Sequence, residues 1–146
     1  MELRELHRGQ THLGFDAMQA LRPHLSDPDM FAQHIDSVQR AEGYRLIAVF
    51  SDGSDQAVAC AGFRVVHHLA WGRALYCDDL STLPAHRGHG YAGALLDWML
   101  EEAQRQGCDA MHLDSGVTAD RSDAHRLYFN KRMRISSHHF QRPLHS

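Results

Sequence analysis

The stretch that decides the fold is residues 83–96, which read Leu-Pro-Ala-His-Arg-Gly-His-Gly-Tyr-Ala-Gly-Ala-Leu-Leu. It joins the end of a predicted strand to the start of a predicted helix, because a helical apolar period follows it. Its glycines leave backbone N–H groups approachable, and Arg87 adds positive charge. The helix has no carboxylate before Asp97, so no side chain of its own neutralises the positive end of its dipole. We therefore predict a phosphate-binding helix N-terminus.

Length and composition indicate an ordinary globular protein. The chain has 146 residues, of which 43% are hydrophobic and 23% charged, with a formal net charge of −3. We therefore predict a single domain over residues 1–146 and no nucleic-acid partner. No apolar run approaches the ~20 residues of a membrane span, and residues 1–6 do not resemble a signal peptide, so no membrane partner is expected.

The cysteines and histidines suggest neither disulfides nor a metal. The three cysteines are scattered along the chain, which favours a reducing, cytoplasmic location over a disulfide framework. Thirteen histidines are unusual for this length, but no set of His, Cys and carboxylate residues has a zinc-binding spacing. We therefore predict no metal site.

Periodicity predicts an α+β fold with a mixed sheet. Antiparallel strands come first and a strand–helix–strand unit follows. The predicted strands are 2–7, 44–50, 57–67, 73–83, 110–114 and 135–142, and the predicted helices are 11–21, 28–42, 90–106 and 120–131.

The glycine loop has two interpretations. Residues 88–93 match G-x-G-x-x-G, and Asp114 would serve as the ribose-binding acid of a dinucleotide site. Against this, four residues separate the loop from its strand, and too little sequence follows Asp114 for a doubly wound sheet. A lone G-x-G-x-x-G is weak evidence.

A wider pattern resembles the acetyl-CoA signature of the GCN5-related N-acetyltransferases, the GNAT superfamily. It runs Leu80-x-Thr82-x-Pro84-x-x-Arg87-Gly88-x-Gly90-x-Ala92, followed by Leu95-Leu96. Ala124 to Tyr128 resembles the superfamily's Ala-x-x-x-Tyr helix. The resemblance covers about residues 44–142. It implies a GNAT-type fold with a mostly antiparallel sheet of about six to seven strands, about four helices and a splayed central parallel strand pair.

Two features depart from the superfamily's pattern. Similar proteins often carry Gly-Phe after the tyrosine helix, where this chain has Arg132-Met133. A common asparagine before the last helix is replaced by the segment from Asp120 to Asp123.

The resemblance implies acetyl-CoA as co-substrate. The pantetheine arm would pair with the main chain of Leu80, Ser81 and Thr82 like an added strand. The pyrophosphate would bind the amides of the loop, with Arg87 adding a charge-assisted contact. The loop residues assigned to it are Gly88, His89, Gly90, Ala92 and Gly93.

The implied reaction is direct attack of an amine on the thioester carbonyl. An ammonium group must first lose a proton, and Asp78 and Asp79 are the candidate bases. Strand alternation predicts that Asp78 lies on the side of Leu80 and Asp79 on the other. Tyr128 would protonate the leaving thiolate. A covalent route through Cys77 is the less favoured alternative, because no histidine is clearly paired with it.

The resemblance therefore implies an N-acetyltransferase that acts on a primary amine of a small molecule or peptide. The alternatives are another acyl group, a protein lysine as acceptor, or a non-catalytic CoA-binding sensor of the same fold. Dimers are common among similar proteins, which leaves a homodimer open.

Overall fold

The structure is a computed structural model that describes residues 1–145. Within those residues, one five-stranded sheet has the order β1-β2-β3-β4-β5, with β1 at Glu2–Leu6, β2 at Arg45–Phe50, β3 at Ala59–His68, β4 at Gly72–Thr82 and β5 at Ala110–Leu113. The α-helices are α1 at Phe15–Leu21, α2 at Pro28–His34, α3 at Tyr91–Arg105 and α4 at Ser122–Asn130. The shorter helical turns are Thr11–Gly14, Ile35–Gln39, Arg40–Glu42, Pro84–His86 and Ala119–Arg121.

Strands β1 to β4 form an antiparallel meander, and β5 joins β4 in parallel. Helix α3 supplies the crossover that a parallel connection requires. The parallel ladder is short, running from Ala74 opposite Ala110 to Cys77 opposite Leu113.

Apolar side chains cover both faces of the sheet. On one face, Phe15 of α1 and Phe31 of α2 pack edge to face at 5.6 Å and join a buried cluster with Leu46 of β2. Helix α3 buries Leu95, Leu96 and Met99 completely. Fully burying a side chain of this size contributes about 1.5–3 kcal/mol, so this stripe holds the helix that carries the glycine loop.

The chain divides into two compact units, the first ending at Leu113 and the second beginning at Asp114. The first contains the sheet and helices α1 to α3, and the second contains α4. The single domain predicted over residues 1–146 stays a prediction.

The sequence overestimates the number of strands. The described residues form five strands rather than six to seven, and the strand predicted over 135–142 is absent there. In that segment Ile135 and Phe140 are 76% and 92% exposed. The alternation is weak, with two adjacent histidines, and it defines no buried face. Consequently the parallel pair lies at the edge of the sheet and not at its centre.

Candidate active site

The glycine loop leads directly into α3. After the Pro84–His86 turn, Arg87 is extended, and Gly88 and Gly90 adopt φ angles of +84° and +80°, in the left-handed region that favours glycine. A Cβ atom at either glycine would meet nothing within 4 Å. The space beside the backbone is therefore open to a ligand.

The start of α3 presents unsatisfied amides. The first hydrogen bond of the helix runs from the Ala94 amide to the Gly90 carbonyl oxygen, at 3.0 Å. The amides of residues 91–93 precede it and have no partner within the helix. No side chain caps the helix, and no acidic residue lies in its first turn. Because the helix dipole adds partial positive charge, this end suits an anion.

The strand before the loop has an open edge. Its pairing with β5 stops at Cys77, whereas Leu80, Ser81 and Thr82 continue to pair with β3. Within residues 1–113, no strand pairs with the other edge of Leu80–Thr82. An extended, amide-containing ligand can add to such an edge.

A β-bulge brings both acidic residues to one face. Asp79 pairs with Gly62 and Cys77 pairs with Phe63, so Asp78 is an extra residue in β4. Arg64 binds Asp78 and lies two residues from Gly62, hence on the same face of β3. The prediction that Asp78 and Asp79 lie on opposite faces is therefore wrong, because a bulge interrupts the alternation on which it depends.

Asp78 forms a bidentate ion pair with Arg64. The guanidinium Nε and Nη2 donate to the two carboxylate oxygens at 2.9 and 2.8 Å. Burial raises the pKa of Asp78, and this effect outweighs the lowering by Arg64. A carboxylate with a raised pKa is a better proton acceptor than an ordinary surface carboxylate.

Both oxygens of Asp79 are also engaged. Arg22 donates from Nε and Nη2 to Oδ1 at 3.1 and 2.8 Å, and the Tyr44 hydroxyl donates to Oδ2 at 2.9 Å. Arg22 Nη2 also donates to the Asp78 carbonyl oxygen at 3.2 Å. Burial and the charge of Asp79 hold the pKa of Tyr44 well above its usual value, so its hydroxyl keeps the proton that it donates.

Arg22, Tyr44 and Arg64 were not identified from the sequence as site residues. Their contacts depend on long-range packing that local patterns do not encode. One signal was available, since a glycine inside a predicted strand often marks a bulge or a close approach. Gly62 marks both. The register with β4 shifts between Gly62 and Phe63, and a Cβ atom at Gly62 would overlap the Tyr44 side chain.

The environment of Cys77 disfavours its nucleophilic thiolate form. Its side chain is buried, and burial raises the pKa of its thiol to about 12. The sulfur donates to the Asp79 carbonyl oxygen at 3.4 Å. Because the thiolate is the nucleophilic form, these features oppose the covalent alternative.

Tyr128 lies in the second unit, on α4, where it is half-buried. Its carbonyl oxygen accepts hydrogen bonds from the amides of Lys131 and Met133 at 3.1 and 3.0 Å. Arg132 has a φ of +64° in this turn, at the position where similar proteins often carry glycine. The turn therefore keeps a left-handed residue despite the changed sequence.

A cavity of about 440 Å³ lies between α1, α2 and the acidic part of β4, within the first unit. Apolar side chains of α1 and α2 form part of its wall. Its titratable lining residues are Arg22, His24, Asp27, His34, Tyr44 and Asp79. A larger cavity of about 560 Å³ lies beside β1 and the turn after β2 and includes none of the predicted site residues.

Among residues 1–145, no helix combines the length and apolar character that crossing a bilayer requires. No three His, Cys, Asp or Glu residues there are grouped to hold a metal ion.

Comparison with known proteins decides the family. The model of the Acetyltransferase (GNAT) family matches residues 6–133. The chain belongs to the GNAT family. That match contains both the glycine loop and the tyrosine helix, and it confirms the resemblance on which the sequence analysis depends.

Two similar proteins place this GNAT chain among acetyltransferases, and a third resembles it in fold. It is 32% identical over 131 residues to the uncharacterized N-acetyltransferase YhdJ of Bacillus subtilis, covering 89% of each chain. It is 32% identical over 79 residues to the aminoalkylphosphonate N-acetyltransferase of Salmonella typhimurium, covering 54% of this chain and 49% of the relative.

The third is a solved structure, AAC(6')-Iy in complex with the bisubstrate analog CoA-S-monomethyl-acetylneamine. It superposes with a TM-score of 0.80 at 14% identity and covers 99% of this GNAT chain and 98% of its own. At that identity the likeness shows the fold alone.

Proposed function

We propose that this GNAT protein transfers the acetyl group of acetyl-CoA to the primary amine of a small molecule, by direct attack in a ternary complex. The observation that carries the proposal is the open, glycine-lined start of α3 next to the open edge of β4. The loop amides and Arg87 would bind the diphosphate. Leu80, Ser81 and Thr82 would pair with the pantetheine arm.

A small acceptor is favoured over a peptide on two grounds. The cavity next to Asp79 has the volume of a small-molecule site. The Salmonella relative is named for a small amine, an aminoalkylphosphonate.

The proposed chemistry uses Asp78 as base. Its raised pKa suits Asp78 to accept a proton. The oxygens of Asp79 already accept three hydrogen bonds. The ammonium proton passes to the Asp78 carboxylate, directly or through water, and the neutral nitrogen attacks the thioester carbonyl carbon. The C–S bond then breaks, and the leaving thiolate takes a proton from the Tyr128 hydroxyl. The second proton that the acylated nitrogen must lose passes to the tyrosinate, directly or through water, and restores the hydroxyl. Asp79 positions Arg22.

The test is release of thiol from acetyl-CoA across a panel of small amines and lysine peptides. We expect release with at least one small amine, and initial-rate lines that intersect as a ternary complex requires. CoA, and not NAD, should raise the melting temperature. Tight CoA binding without thiol release on any amine would overturn the enzymatic proposal in favour of a sensor.

Tyr128→Phe tests the proposed acid in the same assay. Loss of the hydroxyl should lower kcat about 100-fold while the KM for acetyl-CoA stays within about twofold, since general acid catalysis contributes on this scale. Phe129→Leu, at the exposed neighbouring position, is the matched control. Equal kcat in wild type and Tyr128→Phe would exclude Tyr128 as the acid.

A further inference from the structure

We infer that the acceptor carries an anionic group in addition to its reactive amine, and that Arg22 is the residue that selects it. The inference rests on the proposed function, because it assigns the acceptor to the 440 Å³ cavity next to Asp79. The anionic group is a carboxylate or a phosphonate, the groups that a planar guanidinium fits best.

Arg22 is held in one orientation at the cavity wall. Its Nε and Nη2 are fixed by the Asp79 carboxylate and the Asp78 carbonyl oxygen, at 2.8 to 3.2 Å. Asp79 is in turn held by the buried Tyr44 hydroxyl, for which Gly62 leaves room. The guanidinium is therefore preorganised, which reduces the entropic cost of binding a ligand.

One edge of this guanidinium is available. Among the described residues, no acceptor is bound to Arg22 Nη1, and the side chain is 45% exposed. Arg22 lines a cavity with apolar surfaces from α1 and α2. An anion there gains charge-assisted hydrogen bonds in a partly desolvated site.

Both carboxylates that line the cavity already accept hydrogen bonds. Asp79 is neutralised by Arg22, and Asp27 caps α2 by accepting from the amides of Asp29 and Met30 at 2.8 and 3.4 Å. Outside the cavity lining, Asp78 is bound by Arg64. The histidines that line the cavity, His24 and His34, add donors and not negative charge.

These charges decide between acceptor classes. A diamine would place its second cation against the Arg22 guanidinium and be repelled. A carboxylate or phosphonate in the place of that second cation would accept hydrogen bonds from the remaining donors of the guanidinium. A neutral group of the same size would gain little from it.

The test compares three acceptors of similar size: β-alanine, its neutral amide, and trimethylenediamine. Rates are measured at one pH and corrected for the fraction of neutral amine. We expect the wild type to prefer β-alanine, or aminoethylphosphonate in its place, over the amide by about tenfold in kcat/KM, with the diamine worst. A preference for the diamine or the amide would overturn the inference while leaving the acetyltransferase proposal intact.

Substitution of Arg22 tests whether this residue causes the preference for an anionic acceptor. In Arg22→Gln, kcat/KM for β-alanine should fall about tenfold more than that for the amide, mainly through KM. Arg22→Lys keeps the charge without the planar fork and should be intermediate. Arg4→Gln is the matched control, because Arg4 is also partly exposed and paired with a carboxylate, Glu2, but lies on β1. Equal losses on both acceptors in Arg22→Gln would overturn the role of Arg22.

A binding measurement separates this inference from the proposed function. N-acetyl-β-alanine and its amide are titrated by calorimetry into the CoA-loaded wild type and Arg22→Gln. Tighter binding of the carboxylate, lost in Arg22→Gln, supports the inference even if no acceptor releases thiol. Equal binding of the two compounds, or binding of neither, overturns it.

Discussion

Gly62 and Tyr44 fit together because position 62 has no side chain. A Cβ atom at Gly62 would overlap the hydroxyl and ring of Tyr44, which is 3% exposed. The hydroxyl can therefore pass close to the β3 backbone and reach Asp79 on the neighbouring strand. The absence of a side chain at position 62 thus lets Tyr44 donate its hydrogen bond to Asp79, the partner of Arg22.

Gly62→Ala should destabilise the protein by about 3 kcal/mol, because the methyl group displaces a buried tyrosine and breaks its hydrogen bond. The measurement is urea unfolding of the purified variant. Gly14→Ala is the control, since a Cβ there meets Leu46 at an ordinary 3.4 Å and should cost less than about 1 kcal/mol. Equal stability of the two variants would contradict the packing described for Tyr44.

Arg64→Gln should move the acidic limb of the kcat/KM profile to higher pH. Arg64 lowers the pKa of Asp78 against the opposing effect of burial, so its removal raises that pKa further. Because the base must be ionised, activity in the variant disappears as the pH falls through the raised pKa of Asp78, at a higher pH than in the wild type. The measurement is the pH dependence of thiol release, with Arg4→Gln as the charge-matched control. An unmoved limb would assign the base to a group other than Asp78.

At the scale of single residues, the sequence identifies the candidate acidic residues better than it identifies the residues that bind them. Asp78 and Asp79 stand out from the sequence because adjacent carboxylates are unusual in a strand. Arg22 and Arg64 do not, since one follows a helix and the other lies in a strand with nothing local to indicate a partner. Their contacts with Asp79 and Asp78 span 57 and 14 residues of sequence.

Helix α3 carries both the cofactor loop and part of the core. Its apolar residues at helical spacing fix it against the sheet, while its first turn lacks a cap and an acidic side chain. A free helix end of this kind is ordinarily satisfied by a side chain, water or a ligand. The loop glycines keep the approach open for the last of these.

Gly90→Ala should raise the KM for acetyl-CoA about tenfold, because the methyl group enters the space proposed for the diphosphate and strains a left-handed residue. Gly53→Ala separates the two effects. Gly53 has a φ of +76° and the same empty surroundings, but it lies in the turn after β2. It should lose similar stability with an unchanged KM for acetyl-CoA. A parallel rise in KM in both variants would reduce the Gly90 effect to backbone strain.

Elements with strong periodicity were predictable, and those with weak periodicity were not. The strand predicted over 44–50 and the helix predicted over 90–106 appear as β2 and α3, because each buries a clear apolar set. The strand predicted over 135–142 does not form, because that segment has no clear apolar set to bury. The bulge at Asp78 was not predicted, since it follows from the register with β3, which only the folded sheet defines.

On the scale of the whole sheet, one ion-pair network links three elements. Arg45 of β2 binds Glu5 of β1 through two hydrogen bonds of 2.9 Å and Glu102 of α3 through one of 2.6 Å. Burial alone would raise the pKa of Glu102. Hydrogen bonds from Arg45, Arg105 and Gln106 outweigh burial and lower the pKa to about 2.

Glu102→Gln should therefore cost roughly 2 kcal/mol at pH 7, less than the full pKa shift implies because Arg105 is largely exposed. The folded-state pKa lies below the ordinary glutamate value of 4.5. The contribution is then complete above that value and disappears as pH falls toward about 2. Urea unfolding from neutral to acidic pH should show wild type and variant converging.

The control lies one residue away in the same helix. Glu101 is 71% exposed and 3.9 Å from Arg105, so Glu101→Gln should change stability by less than about 0.5 kcal/mol. A cost for Glu102→Gln that stays constant across the pH range would contradict an ionised network.

The extra residue in β4 lies directly after the point where the parallel pairing of β4 with β5 ends. The parallel ladder stops at Cys77, and the next residue is the bulged Asp78, which bends and twists the strand as bulges do. Excising Asp78 would restore an uninterrupted ladder with β3 and leave every other side chain of β4 on its present face. We therefore expect that shortening β4 by one residue, more than changing any side chain in it, would close the edge that Leu80–Thr82 leave open.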